Sequence, residues 1–259
     1  MRIVLGVEYD GHEFYGWQAQ ENLPTVQGHL QAALSKVADE PITLICAGRT
    51  DAGVHAMGQV VHFDTTKERP NRAWVFGSNS HLPATIAVRW AEIVDDQFSA
   101  RFSALSRCYR YVIYNHAVRS AILARRTTWR YEALDVELMQ LAGQALIGEH
   151  DFTSFRSSQC ESKTPMRHVM SLTVKRFHDF VCIDIEANAF LHHMVRNIVG
   201  VLIQIGEKRA ESSWMKEVLL AKDRRAAAET ASAAGLYLAR VNYPASYIFP
   251  TLHPFGIGD

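Results

Sequence analysis

The chain contains no apolar run approaching the roughly 20 residues that a membrane-crossing helix needs, so a membrane protein is not expected. Cysteine is sparse. Cys46, Cys108, Cys160 and Cys182 are scattered, with no C-x-x-C pair, which speaks against a zinc site and for structural thiols in a reducing cytoplasm. The N-terminus, Met1-Arg2-Ile3-Val4-Leu5, runs straight into a strand-like pattern and lacks the apolar segment and cleavage site of a secretory signal, so a cytoplasmic location is expected. There is no low-complexity or linker segment, so the two halves of the chain are expected to share one sheet. The formal net charge is zero, which excludes a generally basic, sticky protein. At 259 residues, 48% hydrophobic and 21% charged, the chain is an ordinary globular one, able to bury a sizeable core as one large or two smaller domains.

One absence is local. From Gln97 to Tyr131 there is no Asp or Glu, yet the span holds Arg101, Arg107, Arg110, Arg119, Arg125, Arg126 and Arg130. Aromatics are interleaved: Phe98, Phe102, Tyr109, Tyr111, Tyr114 and Trp129. One-signed charge among aromatic faces suits a nucleic-acid surface. The plainer alternative is a solvated strand face whose acids lie elsewhere in the fold.

Hydrophobic periodicity divides the chain into strands and helices. Arg2 to Glu8 alternates, with Ile3, Leu5, Val7 and Tyr9 on one face. Thr25 is placed to cap a helix to about Ala38, and Pro41 closes it. Trp17-Gln18 falls in a polar loop. Strands are expected at Ile42–Cys46, around Val60–Phe63, at Ile86–Val94 and at Arg107–Asn115, with a short helix over Asn71–Ser78. Later come a short strand at Arg126–Tyr131 and a helix over Leu134–Gly148 with Leu138, Leu141, Ala145 and Leu146 inward. His150 to Lys163 reads as a loop. Val169–Phe177 and Phe180–Ala187 flank the hairpin signal His178-Asp179. Helices at about Phe190–Gly206 and Trp214–Ala231 and a strand at Leu236–Tyr243 complete the pattern. The halves rhyme in element order, which predicts an α+β fold of two pseudo-symmetric halves, 1–104 and 105–259, sharing a largely antiparallel sheet with helices on one side.

The stretch that concentrates chemistry is Gly48-Arg49-Thr50-Asp51-Ala52-Gly53-Val54-His55, a loop between two strand-like runs. It gathers an acid, a base and an imidazole between glycines that let the backbone approach a ligand. A hairpin loop with a turn-forming Asp is the plain alternative. On the later helix, a stripe of His192, Arg196, Val199, Gly200 and Ile203 sets a guanidinium among apolar neighbours. Such an Arg needs an anion, and Asp51 is a fitting one; a helix-end carbonyl or snorkelling would also satisfy it. His192 and His193 are adjacent, and neighbouring helical positions do not face each other, so a shared metal is not expected.

Gly48 to Ala56 resembles the signature of the tRNA pseudouridine synthase A (TruA) family, nine residues in a row. Other stretches are similar to family segments in the same order. They are Tyr9-Asp10-Gly11 with Gly16-Trp17-Gln18, Thr25-Val26-Gln27-Gly28, Asn79 with Leu82-Pro83, Phe98 to Phe102, and Tyr109-Arg110-Tyr111. His150 to Arg156, Phe190 to Gly200 and Gly235 to Leu238 follow. Two departures are Ser99, where family members carry His, and Ala189, where many carry Gly. The resemblance implies a pseudouridine-synthase fold and a homodimer that isomerises uridine at positions 38, 39 and 40 of the tRNA anticodon stem-loop, without cofactor or metal. It implies Asp51 as nucleophile, Arg196 as its partner, Tyr109 stacking on the target base, Arg49 holding that base flipped out and Leu236 as a pocket wall. Taken alone, Tyr109 would be an ordinary strand aromatic, Arg49 a surface residue and Leu236 core. RNA contacts are expected from Phe98, Arg101, Phe102, Arg130, Gln159 and Lys163. Two other functions compete: a metal-dependent nuclease using Asp51, His55 and His62, and a non-catalytic RNA-binding protein using the arginine-rich span.

Overall fold

The computed structural model describes residues 1–250. In chain order its elements are β1 (Arg2–Tyr9), α1 (Val26–Ala38), β2 (Ile45–Cys46), β3 (His55–Asp64), β4 (Ile86–Val94), β5 (Ser106–Asn115) and β6 (Thr128–Arg130). They continue with α2 (Val136–Gly143), β7 (Gly148–Asp151), β8 (Met166–Phe177), β9 (Phe180–Ala187), α3 (Met194–Gly206), α4 (Trp214–Ala221) and β10 (Leu236–Asn242). The fold is mixed α+β and its sheet pairing is mostly antiparallel. The pairs β1–β3, β1–β4, β2–β3, β7–β8 and β8–β9 are antiparallel, whereas β3–β10 and β5–β6 are parallel. The chain divides into two compact units: Met1–Arg107 with the chain from Tyr237 onward, and Cys108–Leu236.

In the first unit the strand order is β4-β1-β3-β10, with β2 also on β3. β1 is paired on both edges, by β3 and β4, and both its faces are covered as well: Ile3, Val4, Leu5 and Val7 are all fully buried, where alternation predicted one buried face. Val4 joins Ala47, Val60, Trp90, Phe98 and Ala100 in a core cluster. Thr25 caps α1 as expected, its hydroxyl accepting from Gly28 N–H at 3.3 Å. Asp39 ends the helix in the left-handed region (φ 53°). The strand expected from Ile42 shortens to Ile45–Cys46, since the Leu44 N–H is taken by the Gln31 side chain at 3.2 Å and the Ile42 N–H by Ser35 Oγ at 2.9 Å. The helix expected over Asn71–Ser78 contains a π-helical turn, Ala73–Gly77, with Trp74 fully buried.

In the second unit the order is β5-β9-β8-β7, with β6 on β5. The β8–β9 hairpin turns at His178, whose φ is 52°. α2 packs on β8, α3 and α4. It is shorter than periodicity suggested and rotated: it closes at Gly143, its buried residues are Val136, Met139, Ala142 and Gly143, and Leu141 is 60% exposed. α3 begins at Met194, not near Phe190, because His193 sits in the left-handed region at φ 63°. His192 is therefore off the helix, and the rings of His192 and His193 lie 4.0 Å apart between centroids. With His192 outside the helix, the two rings can lie against each other, contrary to the expectation for adjacent helical positions. α4 stops at Ala221, where Lys222 is left-handed (φ 48°). No helix among the described residues is long and apolar enough to cross a membrane.

Candidate active site

The loop 48–54 is held from behind by the segment after β1. Trp17 N–H donates to Thr50 O at 3.0 Å and Gly53 N–H to Phe14 O at 3.2 Å. The Tyr9 and Thr50 hydroxyls meet at 2.7 Å, and Gln59 Nε2 donates to Gly48 O at 2.6 Å. Burial pushes the Tyr9 phenol pKa well up, which keeps its proton available for that bond. Gly16, at φ 86°, lies so close that a Cβ there would sit 2.7 Å from Thr50 O. Trp17, read from the sequence as part of a polar loop, is 1% exposed and is the wall against which the signature loop is built. Within the loop Val54 N–H donates to Asp51 O at 3.1 Å, closing a turn that leaves Asp51 half-buried, while Arg49 is exposed. A backbone tied at Gly48, Thr50, Gly53 and Val54 fixes where the Asp51 carboxylate can point.

The two histidines of the metal-dependent alternative are engaged elsewhere. His55 is 1% exposed; its Nδ1 lies 3.1 Å from Gly11 N and 3.1 Å from Asp10 Oδ1, and its ring stacks on Tyr237 at 4.7 Å. His62 is 2% exposed and its Nδ1 accepts from Ala100 N–H at 3.0 Å.

That bond belongs to a second built feature, the turn 95–103. Arg2 donates to the carbonyls of Asp96 (2.5 Å) and Phe98 (2.7 Å) while its guanidinium also pairs with Asp64. Arg107 donates to Arg101 O at 2.6 Å and Ala47 O at 2.9 Å. Ser99, in the place of the family's His, accepts from Phe102 N–H at 3.3 Å through its hydroxyl. Phe98 is fully buried, so its ring anchors the turn from inside; it is corrected from a substrate contact to a core residue. Arg101 and Phe102 point the other way: Phe102 is 80% exposed, with the Arg101 guanidinium 5.2 Å from its ring centroid.

The anchor at His62 has a pH signature. Burial, reinforced by the Arg2 charge, lowers the His62 pKa below the ordinary 6.5. Only the neutral ring can accept the Ala100 N–H. The stability it contributes is complete above pH 6.5 and is lost as pH falls through the depressed folded value. The melting temperature should therefore fall on acidification from pH about 7.5 to 5.5, and His62→Gln should flatten that fall. An unchanged pH profile in the variant would remove His62 as its source.

In the second unit, Tyr109 is 8% exposed on β5, with its ring edge-to-face against Phe190 at 5.0 Å. Arg196 Nε donates to Ala231 O at 2.8 Å, and Ala231 N–H returns a bond to Arg196 O at 3.1 Å. A carbonyl outside any helix thus helps to orient the guanidinium. Tyr111, its phenol pKa pushed up to about 12 by burial, donates to Ser232 O at 2.8 Å. Gly235 presses on β5 so tightly that a Cβ would lie 2.7 Å from Val112 O. Together these contacts set Leu236, itself 5% exposed, at the start of β10. Gln159 and Lys163 are exposed on a loop wrapped around two arginines: Arg156 donates to Cys160 O (2.6 Å) and Ser162 O (2.8 Å), and Arg167 to Ser162 Oγ (2.7 Å).

The arginine-rich span is acid-free in sequence but not in space. Arg107 is spent on carbonyls, Arg110 makes a bidentate pair with Asp184 at 2.7 and 2.9 Å, and Arg130 lies 3.8 Å from Glu207. The seven-residue footprint shrinks accordingly, with Arg101 its best-presented member in the first unit.

A family described as tRNA pseudouridine synthase matches the chain over residues 6–103 and 142–244. Those ranges hold the signature loop, the turn 95–103, Arg196 and Leu236; Tyr109 and Arg130 fall between them. Two curated relatives named tRNA pseudouridine synthase A come from Escherichia coli (strain SMS-3-5 / SECEC) and Shigella boydii serotype 18 (strain CDC 3083-94 / BS512). Each is 57% identical over 249 residues, which cover 96% of this chain and 92% of theirs. Among solved structures, a chain from the crystal structure of a Cbf5-Nop10-Gar1 complex aligns over 91% of this chain and 57% of its own. It does so at 10% identity with a TM-score of 0.36, too low to support an inference. With matches in both units and relatives this similar over nearly their full length, the chain belongs to the tRNA pseudouridine synthase family.

Proposed function

We propose that this enzyme isomerises uridine to pseudouridine at positions 38, 39 and 40 of the tRNA anticodon stem-loop, with Asp51 as nucleophile. The observation that carries the reading is the clamp on the Asp51 loop, in which Trp17, Phe14 and Gln59 hold the backbone, and Tyr9 the Thr50 hydroxyl, on either side of one half-buried carboxylate. The carboxylate attacks carbon, at C1′ or C6, and later leaves. The N1–C1′ bond breaks, the base turns, and C5 bonds to C1′; C5 gives up its proton and N1 gains one. No electrons are transferred overall, so neither nicotinamide nor flavin is required.

The target base must first leave its stack, and Tyr109 stacking on it with Arg49 in the vacated space offsets that cost. Arg196 partners Asp51, and Leu236 walls the base pocket. Arg101, Phe102, Arg130, Gln159 and Lys163 bind the RNA. The 80% exposed ring of Phe102, with a guanidinium beside it, offers a stacking face next to a cation, the combination that suits an unpaired base. The resemblance also supports a homodimer acting in the cytoplasm.

The test is pseudouridine mapping by chemical labelling of tRNA incubated with the protein, with and without a chelator. Labelling at positions 38 to 40, unaffected by the chelator, is expected. Cleaved tRNA or chelator sensitivity would favour a metal-dependent nuclease, and binding without labelling a non-catalytic RNA-binding protein.

A further inference from the structure

The segment that follows β10 folds onto the turn 95–103. The Tyr243 hydroxyl donates to Ala100 O at 2.7 Å, the carbonyl immediately before Arg101. The Tyr247 hydroxyl reaches both carboxylate oxygens of Asp95, at 3.1 and 3.2 Å. That carboxylate in turn accepts the N–H groups of Gln97 (2.9 Å) and Phe98 (3.1 Å), so Tyr247 buttresses the first bend of the turn. Between the two hydroxyls, the rings of Tyr243, Tyr247 and Phe249 surround Phe98 at centroid distances of 5.1, 4.9 and 5.4 Å. Phe249 also stacks on Trp90 at 5.1 Å. Burial pushes the Tyr243 phenol pKa far up, which keeps it a donor throughout the working pH range.

The start and the middle of the turn thus depend on side chains contributed from far along the chain. Phenylalanine at either position would fill the same space; the hydroxyls add only their hold on Ala100 O and Asp95. A surface turn that is ordered before it binds loses no conformational freedom on binding, and that difference appears as affinity.

We propose that Tyr243 and Tyr247 are positioning residues for tRNA, their hydroxyls holding the turn 95–103 so that Arg101 and Phe102 meet the RNA already ordered. The proposal rests on the reading of that turn as an RNA contact. It predicts a binding defect without a chemical one, since neither hydroxyl is among the hydrogen bonds that tie the Asp51 loop.

Four proteins test it: wild type, Tyr243→Phe/Tyr247→Phe, Arg101→Ala, and the triple variant. Steady-state pseudouridine formation, tRNA binding across a salt series and amide exchange over residues 98–103 are the readouts. The double Phe variant should raise KM for tRNA about fivefold with kcat unchanged, as expected for losing hydrogen bonds that act before chemistry. Its salt slope should be shallower by about one unit, approaching that of Arg101→Ala. Amide exchange in the turn should quicken, and the triple variant should bind no worse than Arg101→Ala alone. Wild-type KM and slope in the double Phe variant, with both altered in Arg101→Ala, would overturn the proposal and leave the RNA reading intact. So would a lowered melting temperature with apparent kcat falling and KM unchanged. Wild-type KM and slope in Arg101→Ala would overturn the RNA reading of the turn, and the proposal with it.

Discussion

Asp51→Asn should abolish pseudouridine formation, lowering the single-turnover rate by at least about 10⁴-fold, while tRNA affinity stays near that of wild type. Asparagine keeps the size of the side chain and leaves the loop's backbone ties at Gly48, Thr50, Gly53 and Val54 in place. What it removes is a carboxylate able to bond to carbon and depart again. Binding is supplied by other residues, so Kd measured by filter retention should barely move. Near wild-type turnover in the Asn variant would end the assignment of Asp51. Arg196→Met adds a second arm. Partners in one step are non-additive, so the double variant should lose little beyond Asp51→Asn alone. Because Arg196 also holds Ala231 O, the comparison belongs on rates of correctly folded protein and not on yield.

Gly16→Ala is expected to cost about 10–100-fold in kcat, with tRNA affinity largely kept. Two costs act together. At φ 86° an alanine is strained by about 1 kcal/mol, and its Cβ would lie 2.7 Å from Thr50 O and 3.1 Å from Ala52 N, on both sides of Asp51. Neither neighbour is the flexible end of a side chain, so the loop backbone has to move, and the carboxylate moves with it. Gly148→Ala separates the two costs. Its φ is 103°, so the strain is comparable, but its Cβ would meet only His150 Nε2, at 3.7 Å. It should lower the melting temperature and spare kcat. If Gly16→Ala behaves like Gly148→Ala, the wall behind the Asp51 loop does not aim it.

Elements whose signals are local were legible in the sequence. Thr25 capping α1, the strand Ile86–Val94 and the hairpin around His178-Asp179 all rest on neighbours within a few residues. The start of α3 and the end of α4, both set by left-handed residues, were not. His193 and Lys222 are neither Gly nor Asn, so composition gave no sign that α3 starts late and α4 stops early. The signature loop stood out, but its wall did not: Trp17 seemed a loop residue because the backbone it packs against comes from 33 positions later. The glycines at 11 and 16 were the available clue, since both press on that loop's backbone. Arg107 and Arg110 count toward the one-signed span for a similar reason. Their partners, Ala47 O and Asp184, are remote in sequence and could not be counted along it. Phe98 sat inside a convincing RNA-binding motif, yet the motif's first ring faces the core while its last, Phe102, faces water.

The parallel pairing of Tyr237 with His55 bears on how the enzyme is made. The second unit, Cys108–Leu236, is continuous and can fold as it leaves the ribosome. The first unit cannot finish until β10 arrives, after the whole second unit has been translated. At about 5–20 residues per second, the stretch that carries Asp51 waits roughly ten to forty seconds without the ring that His55 stacks on and without the tyrosines that brace the turn. Nascent chains stalled before β10 should leave the segment around His55 open to protease, and chains released after Asn242 should protect it. Equal protection in both would mean that the first unit completes itself without its last strand.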